Sequence, residues 1–268
     1  MVKRIIEPEV EMVFEAIKED KNFILEGGAG SGKTFSLISI IEKISRDEPD
    51  KSIVCITYTN NAVAEIRERI TNDKLKVSTI HEFIWSIIEQ FQNEIKCCLI
   101  DLINDDEQKA FIRPLDYPSE CQLTDTYFEN IRVVYDERYS MSIIDNCVQI
   151  SHDHILIVAE KMFSTYPKLC DILIDTADYI FVDEYQDTGI DQHYLFIKLK
   201  NMGIIMAAVG DVNQSIFEFS GKKSYYLKRI RQDKTFRSFI LSQNHRSHQS
   251  IVNYSNRLID STCTITDI

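Results

Sequence analysis

Residues 27 to 34 read Gly-Gly-Ala-Gly-Ser-Gly-Lys-Thr, which fits the phosphate-loop pattern G-x-x-x-x-G-K-[ST] in full. In this pattern the backbone N–H groups surround phosphate, the lysine reaches the β- and γ-phosphates, and the final hydroxyl ligates Mg²⁺. An apolar run at 23–25 precedes the loop and a helical repeat over 35–44 follows it, so a helix dipole would favour the phosphates. The sequence therefore predicts a nucleoside triphosphate site formed by Gly27, Gly28, Ala29, Gly30, Ser31, Gly32, Lys33 and Thr34.

Short apolar runs recur along the chain, and a polar or glycine turn follows most of them. They lie at 23–25, 53–56, 179–182, 204–209 and 238–241. Continuous apolar strands are typical of a parallel sheet that is covered by helices on both faces. The sequence therefore predicts an α/β fold.

The stretch 86–178 interrupts that rhythm. It begins with a helical repeat and then passes through Pro114 and Pro118. Two alternating segments, 131–135 and 141–144, are separated by a charged turn and predict a β-hairpin. We interpret this stretch as an α+β subdomain inserted between two strands of the sheet.

The composition is that of a soluble globular protein, with 44% hydrophobic and 27% charged residues in 268. The sequence has no signal peptide and no apolar run near the length of a membrane span, which predicts a cytoplasmic protein without membrane contact. Seven scattered cysteines without a C-x-x-C pair argue against a disulfide or metal framework.

The net charge of −12 is unevenly distributed. Residues 86–150 hold thirteen acidic and five basic side chains, whereas residues 221–246 hold eight basic and one acidic. An acidic chain can still present one basic face to nucleic-acid phosphates, but a solvated helical face explains the basic segment equally well. Charge alone therefore leaves the partner open.

A pair of carboxylates, Asp183 and Glu184, ends the apolar run at 179–182. At the end of a buried strand an aspartate can hold Mg²⁺ and a neighbouring glutamate can orient the attacking water. Such a pair can equally cap a following helix. Here the stretch continues as Asp-Glu-Tyr-Gln-Asp-Thr over 183–188.

With that stretch the chain resembles the UvrD/Rep-like superfamily 1 DNA helicases, whose motifs recur in the family's order. The matches are motif I at 27–34, motif Ia at 57–66 (Thr-Tyr-Thr-Asn-Asn-Ala-Val-Ala-Glu-Ile), motif Ib at 78–83 (Ser-Thr-Ile-His-Glu-Phe), motif II at 183–188, motif III at 209–221 (Val-Gly-Asp-Val-Asn-Gln-Ser-Ile-Phe-Glu-Phe-Ser-Gly) and motif IV at 243–247 (Gln-Asn-His-Arg-Ser). Six motifs in order are far more specific than any one of them.

The resemblance implies a RecA-like P-loop NTPase fold that uses ATP and Mg²⁺. The implied domains are a motor domain at 1–85 and 179–238, an inserted subdomain at 86–178, and the start of a truncated second motor domain at 239–268. The implied catalytic residues are Lys33, Asp183, Glu184, Gln214 and Arg246, with Thr34 and Asp183 at the metal. Single-stranded DNA or a single/double-strand junction would contact Thr57, Tyr58, Asn60, Thr79, His81, Phe217 and Phe219.

The chain departs from the family pattern in three segments. Val10 stands where relatives carry the glutamine that reads adenine, and Asn61 replaces the lysine of motif Ia. Motif III ends in Phe-Ser-Gly over 219–221, where many relatives have Trp-Arg-Gly. We expect weaker adenine selection, one phosphate contact fewer and a smaller stacking area.

We expect the chain to be the N-terminal ATP-binding lobe of an ATP-dependent DNA helicase or translocase, because the sequence stops soon after motif IV. Alone, it is expected to hydrolyse ATP weakly or not at all. The alternative is a DNA-sensing ATPase switch in a defence or repair assembly, with a protein partner such as a nuclease. An ATP-binding interaction module would not need Glu184 and Gln214, and an unrelated small-molecule kinase leaves motifs Ia, Ib and III unexplained.

Overall fold

The computed structural model describes residues 8–58, 60–111, 121–136, 142–144, 146–214 and 224–256. The chain forms two compact units. The first comprises residues 1–79 and 176–268, and the second comprises residues 80–175.

A six-stranded parallel sheet forms the centre of the first unit. Its strands are β1 (Asn22–Gly27), β2 (Ile53–Ile56), β3 (Leu75–Ser78), β7 (Tyr179–Val182), β8 (Ile205–Gly210) and β9 (Phe236–Leu241). They lie in the order β3-β2-β7-β8-β1-β9, and every adjacent pair is parallel. This confirms the predicted parallel α/β fold and adds β3, which the apolar runs did not reveal.

Helices cover both faces of this sheet, which explains why its central strands are mainly apolar. The helices of the first unit are α1 (Pro8–Lys18), α2 (Lys33–Asp47), α3 (Asn60–Arg69), α9 (Ile190–Asn201), α10 (Tyr225–Arg231) and α11 (Gln249–Asn256). Phe23 and Leu25 of β1 join one core cluster with residues of α1, α2 and α3. Ile24, which alternates to the opposite face, is also fully buried, as is Leu227 of α10.

The last strand corrects one predicted boundary. β9 pairs with β1 along its whole length, from Asn22 opposite Phe236 to Gly27 opposite Leu241. The predicted start of a second motor domain at residue 239 therefore falls inside the sheet that carries the phosphate loop. That a second motor domain follows stays a prediction.

The second unit contains helices and a small sheet. Its helices are α4 (Ile80–Ile88), α5 (Gln92–Asn104), α6 (Asp125–Phe128), α7 (His152–Thr165) and α8 (Lys168–Thr176), and its strands are β4 (Arg132–Tyr135), β5 (Ser142–Ile144) and β6 (Cys147–Ile150). α7 packs against α4 and α5, and α5 also contacts β4.

The predicted hairpin between 131–135 and 141–144 is wrong in its pairing. The strand order is β4-β6-β5, with β4 and β6 parallel and β5 and β6 antiparallel. β6 lies between the two segments that were expected to pair. Its partner in the hairpin is β5, and Asn146 between them has a φ of +59°, a conformation that asparagine tolerates in tight turns.

No described helix is both long enough and apolar enough to cross a membrane.

Candidate nucleotide-binding site

The phosphate loop lies between the end of β1 and the start of α2, at the carboxyl edge of the sheet, where open α/β folds bind ligands. Gly30 and Gly32 have φ values of +79° and +83°, which glycine adopts without strain. The Ser31 N–H donates to the Gly28 carbonyl oxygen at 3.1 Å and so closes the turn. The structure thus has the strand–loop–helix order that the motif requires.

Lys33 occupies the interior of this loop. The side chain is 8% exposed, and its Nζ donates to the carbonyl oxygens of Gly27 at 2.9 Å and Gly28 at 3.5 Å. The ammonium group is therefore held at the loop by two backbone oxygens that phosphate oxygens could replace.

Asp183 and Glu184 follow β7 at the same edge of the sheet. Asp183 is buried, and burial raises its pKa to about 7; the neighbouring Glu184 adds to the rise and Lys33 opposes it. A divalent cation at this carboxylate would favour its ionised form. The Asp183 carboxylate and the Thr34 hydroxyl are oxygen ligands of the kind that Mg²⁺ takes, so these residues fit the metal.

Glu184 adopts an unusual backbone conformation. Its φ is +50°, in the left-handed region that few residues other than glycine enter. Its N–H donates to Oδ1 of Asp183 at 3.0 Å, and its carbonyl oxygen accepts the N–H of Asp187 at 2.9 Å. Residues held in such conformations cluster at functional sites.

A chain of hydrogen bonds connects Glu184 with the turn after β8. Oε2 of Glu184 accepts from Nε2 of Gln186 at 2.6 Å, and Oε1 of Gln186 accepts from the Asp211 N–H at 3.0 Å. The Asp211 carboxylate in turn accepts from Nε2 of Gln214 at 2.5 Å. The predicted residues Glu184 and Gln214 are thus joined by Gln186 and Asp211, whose linking role was not predicted although both lie within the matched motifs.

The segment after β9 contacts the phosphate loop directly. Nδ2 of Asn244 donates to the Ala29 carbonyl oxygen at 2.8 Å, and the His245 N–H donates to the Gly30 carbonyl oxygen at 2.8 Å. The Arg246 N–H donates to Oδ1 of Asn244 at 3.0 Å. The predicted residue Arg246 therefore lies beside the loop, and the structure adds Asn244 as the residue that joins the two segments.

A buried acid immediately before the loop was also missed. Glu26 is 5% exposed, and its Oε1 lies 3.3 Å from Nε of Arg231. Burial raises the pKa of Glu26, while Arg231 lowers it and Asp211 raises it further. A glutamate in an otherwise apolar strand was the signal in the sequence.

The predicted DNA-contacting residues are only partly described. Thr57 follows β2 and is buried, and Thr79 follows β3 and is half-buried. The Tyr58 hydroxyl lies 2.7 Å from Oγ1 of Thr188 and 3.2 Å from Oε1 of Gln192, so it is engaged within the protein. The described side chains do not include Asn60, and Phe217 and Phe219 lie outside the described residues. DNA contact by these residues stays a prediction.

His81 lies on α4 in the second unit, within an aromatic cluster. Its ring stacks on His152 with centroids 4.0 Å apart and planes at 12°. The Tyr135 hydroxyl lies 2.5 Å from Nδ1 of His152, and Trp85 lies one helical turn beyond His81 and contacts Tyr135. All four side chains are half-buried.

At the predicted adenine-reading position, Val10 lies in α1 with 2% exposure. Its side chain packs in the core cluster of the first unit and has no group that could hydrogen-bond to a base.

Comparisons with known proteins agree with the motif assignment. A family model described as an AAA domain matches residues 10–220. Gabija protein GajB from Bacillus cereus strain VD045 is 31% identical, covering 92% of this chain and 48% of its own length. The ATP-dependent DNA helicase PcrA of Staphylococcus aureus is 27% identical, covering 91% of this chain and 39% of its own length. The chain thus spans less than half the length of these curated relatives.

The fold has a counterpart among solved structures. The Pif1 helicase of Candida albicans matches with a TM-score of 0.50 and 16% identity, over 95% of this chain and 44% of that one. The resemblance to superfamily 1 helicases is confirmed by these matches. The chain belongs to the AAA domain family and is similar to UvrD-like superfamily 1 helicases such as PcrA.

Proposed function

We propose that this chain is the ATP-binding lobe of an ATP-dependent DNA helicase or translocase, which couples ATP hydrolysis to movement on single-stranded DNA. One observation carries the proposal. The phosphate loop, Asp183 and Glu184, and Gln214 all lie at the carboxyl edge of one sheet, and hydrogen bonds join Glu184 to Gln214. Its relative PcrA from Staphylococcus aureus is an ATP-dependent DNA helicase.

The nucleotide would be held by the loop and its lysine. The Nζ of Lys33 would exchange the carbonyl oxygens of Gly27 and Gly28 for phosphate oxygens, so the charge is already in place before binding. Thr34 and Asp183 would hold Mg²⁺, which, when bound, neutralises phosphate charge.

The hydrolytic step would use Glu184, Gln214 and Arg246. Glu184 would accept a hydrogen bond from the attacking water and orient it. Gln214 would contact the γ-phosphate, and Arg246, whose Cβ lies close to Gly30, would stabilise the charge that develops there.

The deciding experiment measures ATP hydrolysis by the full-length natural protein, with and without single-stranded DNA, at one fixed salt concentration. We expect DNA to stimulate ATP hydrolysis, because a translocase couples hydrolysis to movement along DNA. Glu184→Gln is the matched control, since it keeps the size of the side chain, retains ATP binding and removes the carboxylate. Tight ATP binding with a rate that DNA leaves unchanged would contradict a translocase.

DNA binding is tested separately with Phe219→Ala. Aromatic rings stack on bases at about 1–3 kcal/mol each, so this change should weaken single-stranded DNA binding and leave ATP affinity unaltered. An unchanged DNA affinity would remove Phe219 from the DNA site.

A strand-separation assay distinguishes the motor from an ATPase switch. A switch in a larger assembly would hydrolyse ATP on DNA and leave duplexes intact, whereas a helicase would separate them.

A further inference from the structure

Gln186 connects two segments that carry the chemistry of the nucleotide site. It lies in the 3₁₀ turn Tyr185–Asp187 after β7 and is 2% exposed. Its Nε2 donates to Oε2 of Glu184 at 2.6 Å, and its Oε1 accepts from the Asp211 N–H at 3.0 Å. One amide thus uses its donor on one segment and its acceptor on the other.

The neighbouring strand leaves space for this amide. A Cβ atom at Gly210, the last residue of β8, would lie 2.5 Å from Oε1 of Gln186 and 3.3 Å from the Tyr185 backbone nitrogen. The φ of Gly210 is not positive, so close approach, and not backbone conformation, requires glycine here. A side chain at Gly210 would displace Gln186.

Asp211 extends this chain of hydrogen bonds to Gln214. Its Oδ1 accepts the Asn213 N–H at 2.9 Å and its Oδ2 accepts Nε2 of Gln214 at 2.5 Å. The backbone of Asp211 is therefore fixed by Gln186 while its carboxylate fixes the Gln214 amide.

We propose that Gln186 is a positioning residue that holds the Glu184 carboxylate and, through Asp211, the Gln214 amide in one arrangement. The inference rests on the proposed function, because it assigns Glu184 to the water and Gln214 to the phosphate. A change at either group then reaches the other through the buried residues Gln186 and Asp211. An amide is required, since a carboxylate only accepts hydrogen bonds and an aliphatic side chain makes neither contact.

Two variants separate the halves of this contact. Gln186→Glu keeps the acceptor for the Asp211 N–H and replaces the donor to Glu184 by a like charge. Gln186→Met keeps the length of the side chain and removes both contacts. The measurements, made on the full-length protein, are ATP hydrolysis, affinity for a non-hydrolysable ATP analogue, and hydrogen exchange of the Asp211 amide.

We expect Gln186→Glu to lower hydrolysis by about 10–100-fold, the usual loss when a residue that orients a reactive group is changed. Analogue affinity and Asp211 exchange should stay at their original values. The loss of hydrolysis rate relative to the unaltered protein should become smaller as the pH is lowered, because a protonated glutamate regains a hydrogen-bond donor. Gln186→Met should lose hydrolysis at every pH and also speed exchange at Asp211.

Asn22→Ala is the matched control. Oδ1 of Asn22 accepts the Met206 N–H at 2.8 Å, so it makes the same kind of contact to β8 at the opposite, amino edge of the sheet. We expect faster exchange at Met206 and unchanged hydrolysis.

Hydrolysis by Gln186→Glu at the original rate, or an equal loss in Asn22→Ala, would overturn the positioning role. Failure of the unaltered protein to hydrolyse ATP, with or without DNA, would instead overturn the proposed function itself.

Discussion

At the scale of single residues, substitutions at two glycines with positive φ distinguish the effect of backbone strain from the effect of steric crowding. Gly30 has a φ of +79° and Gly203 a φ of +103°. A Cβ at Gly30 would lie 2.6 Å from Cβ of Arg246, whereas nothing lies within 4 Å of one at Gly203. Alanine at either position should destabilise the fold by about 1–3 kcal/mol through strain. Gly30→Ala alone should also weaken nucleotide binding, because it pushes the Arg246 segment off the phosphate loop.

Urea unfolding and analogue affinity, measured on both variants, check this difference. Equal nucleotide affinity in the two variants would mean that contact with the segment after β9 does not shape the loop.

Asp183 gives a second prediction at this scale. Burial raises its pKa from 3.8 to about 7. Without metal, and between these two pH values, Asp183 is therefore protonated in the folded protein and ionised in the unfolded chain. Stability therefore falls as the pH rises from about 4 to about 7 and stays low above that. Asp183→Asn removes the charge, so the metal-free variant should exceed the original protein in stability by a few kcal/mol at pH 8.

The measurement is the free energy of unfolding of both proteins with a chelator present, as a function of pH. The advantage of Asp183→Asn should vanish near pH 4. A constant advantage across this range would show that ionisation of Asp183 is not its cause.

At the scale of elements, His193 joins α9 to its neighbours. Nδ1 of His193 lies 2.8 Å from the Tyr185 hydroxyl, and its ring stacks on Tyr226 of α10 with centroids 4.5 Å apart. Burial lowers its pKa from 6.5 to about 4, and Arg229 adds to the decrease. The unfolded chain binds a proton on this histidine below about pH 6.5, whereas the folded protein binds it only below about pH 4. The free energy of unfolding should therefore decrease by about 3 kcal/mol as the pH is lowered from 6.5 to 4.

His193→Gln keeps a polar partner for Tyr185 and cannot titrate in this range. Comparing the two proteins at each pH isolates the histidine from the opposite trend of Asp183. If both lose the same stability between pH 6.5 and pH 4, His193 does not cause the loss.

The elements also show what the sequence could and could not predict. Four buried strands could be predicted because strands covered by helices on both faces consist mainly of apolar residues. β3 was missed because it is an edge strand whose first two residues, Leu75 and Lys76, are only half-buried. The hairpin was paired wrongly because alternation predicts strands and says nothing of the strand that lies between them.

The same reasoning applies to the site. The family resemblance assigned Lys33, Asp183 and Gln214 to one site. The structure agrees with that grouping, because all three follow parallel strands whose carboxyl ends share one edge. The link through Gln186 could not be predicted, because it depends on β7 and β8 being neighbours in the sheet and on residue 210 being a glycine, which leaves space for the amide.

At the scale of the whole molecule, the chain leaves the first sheet after β3 and returns to it at β7, next to β2. Between these points the second unit buries its own apolar residues. Phe83, Ile95, Val133, Val148 and Ile155 are fully buried and come from three helices and two strands of that unit.

We therefore expect residues 80–175, produced alone, to fold. A unit with its own hydrophobic core satisfies a usual requirement of a domain. The isolated unit should unfold cooperatively in urea and should not bind ATP, because every phosphate-site residue lies in the first unit. Phe83→Ala should cost about 3–5 kcal/mol, whereas the exposed Glu160→Ala should have little effect. A gradual transition, insensitive to Phe83→Ala, would mean that this core forms only when the sheet of the first unit is present.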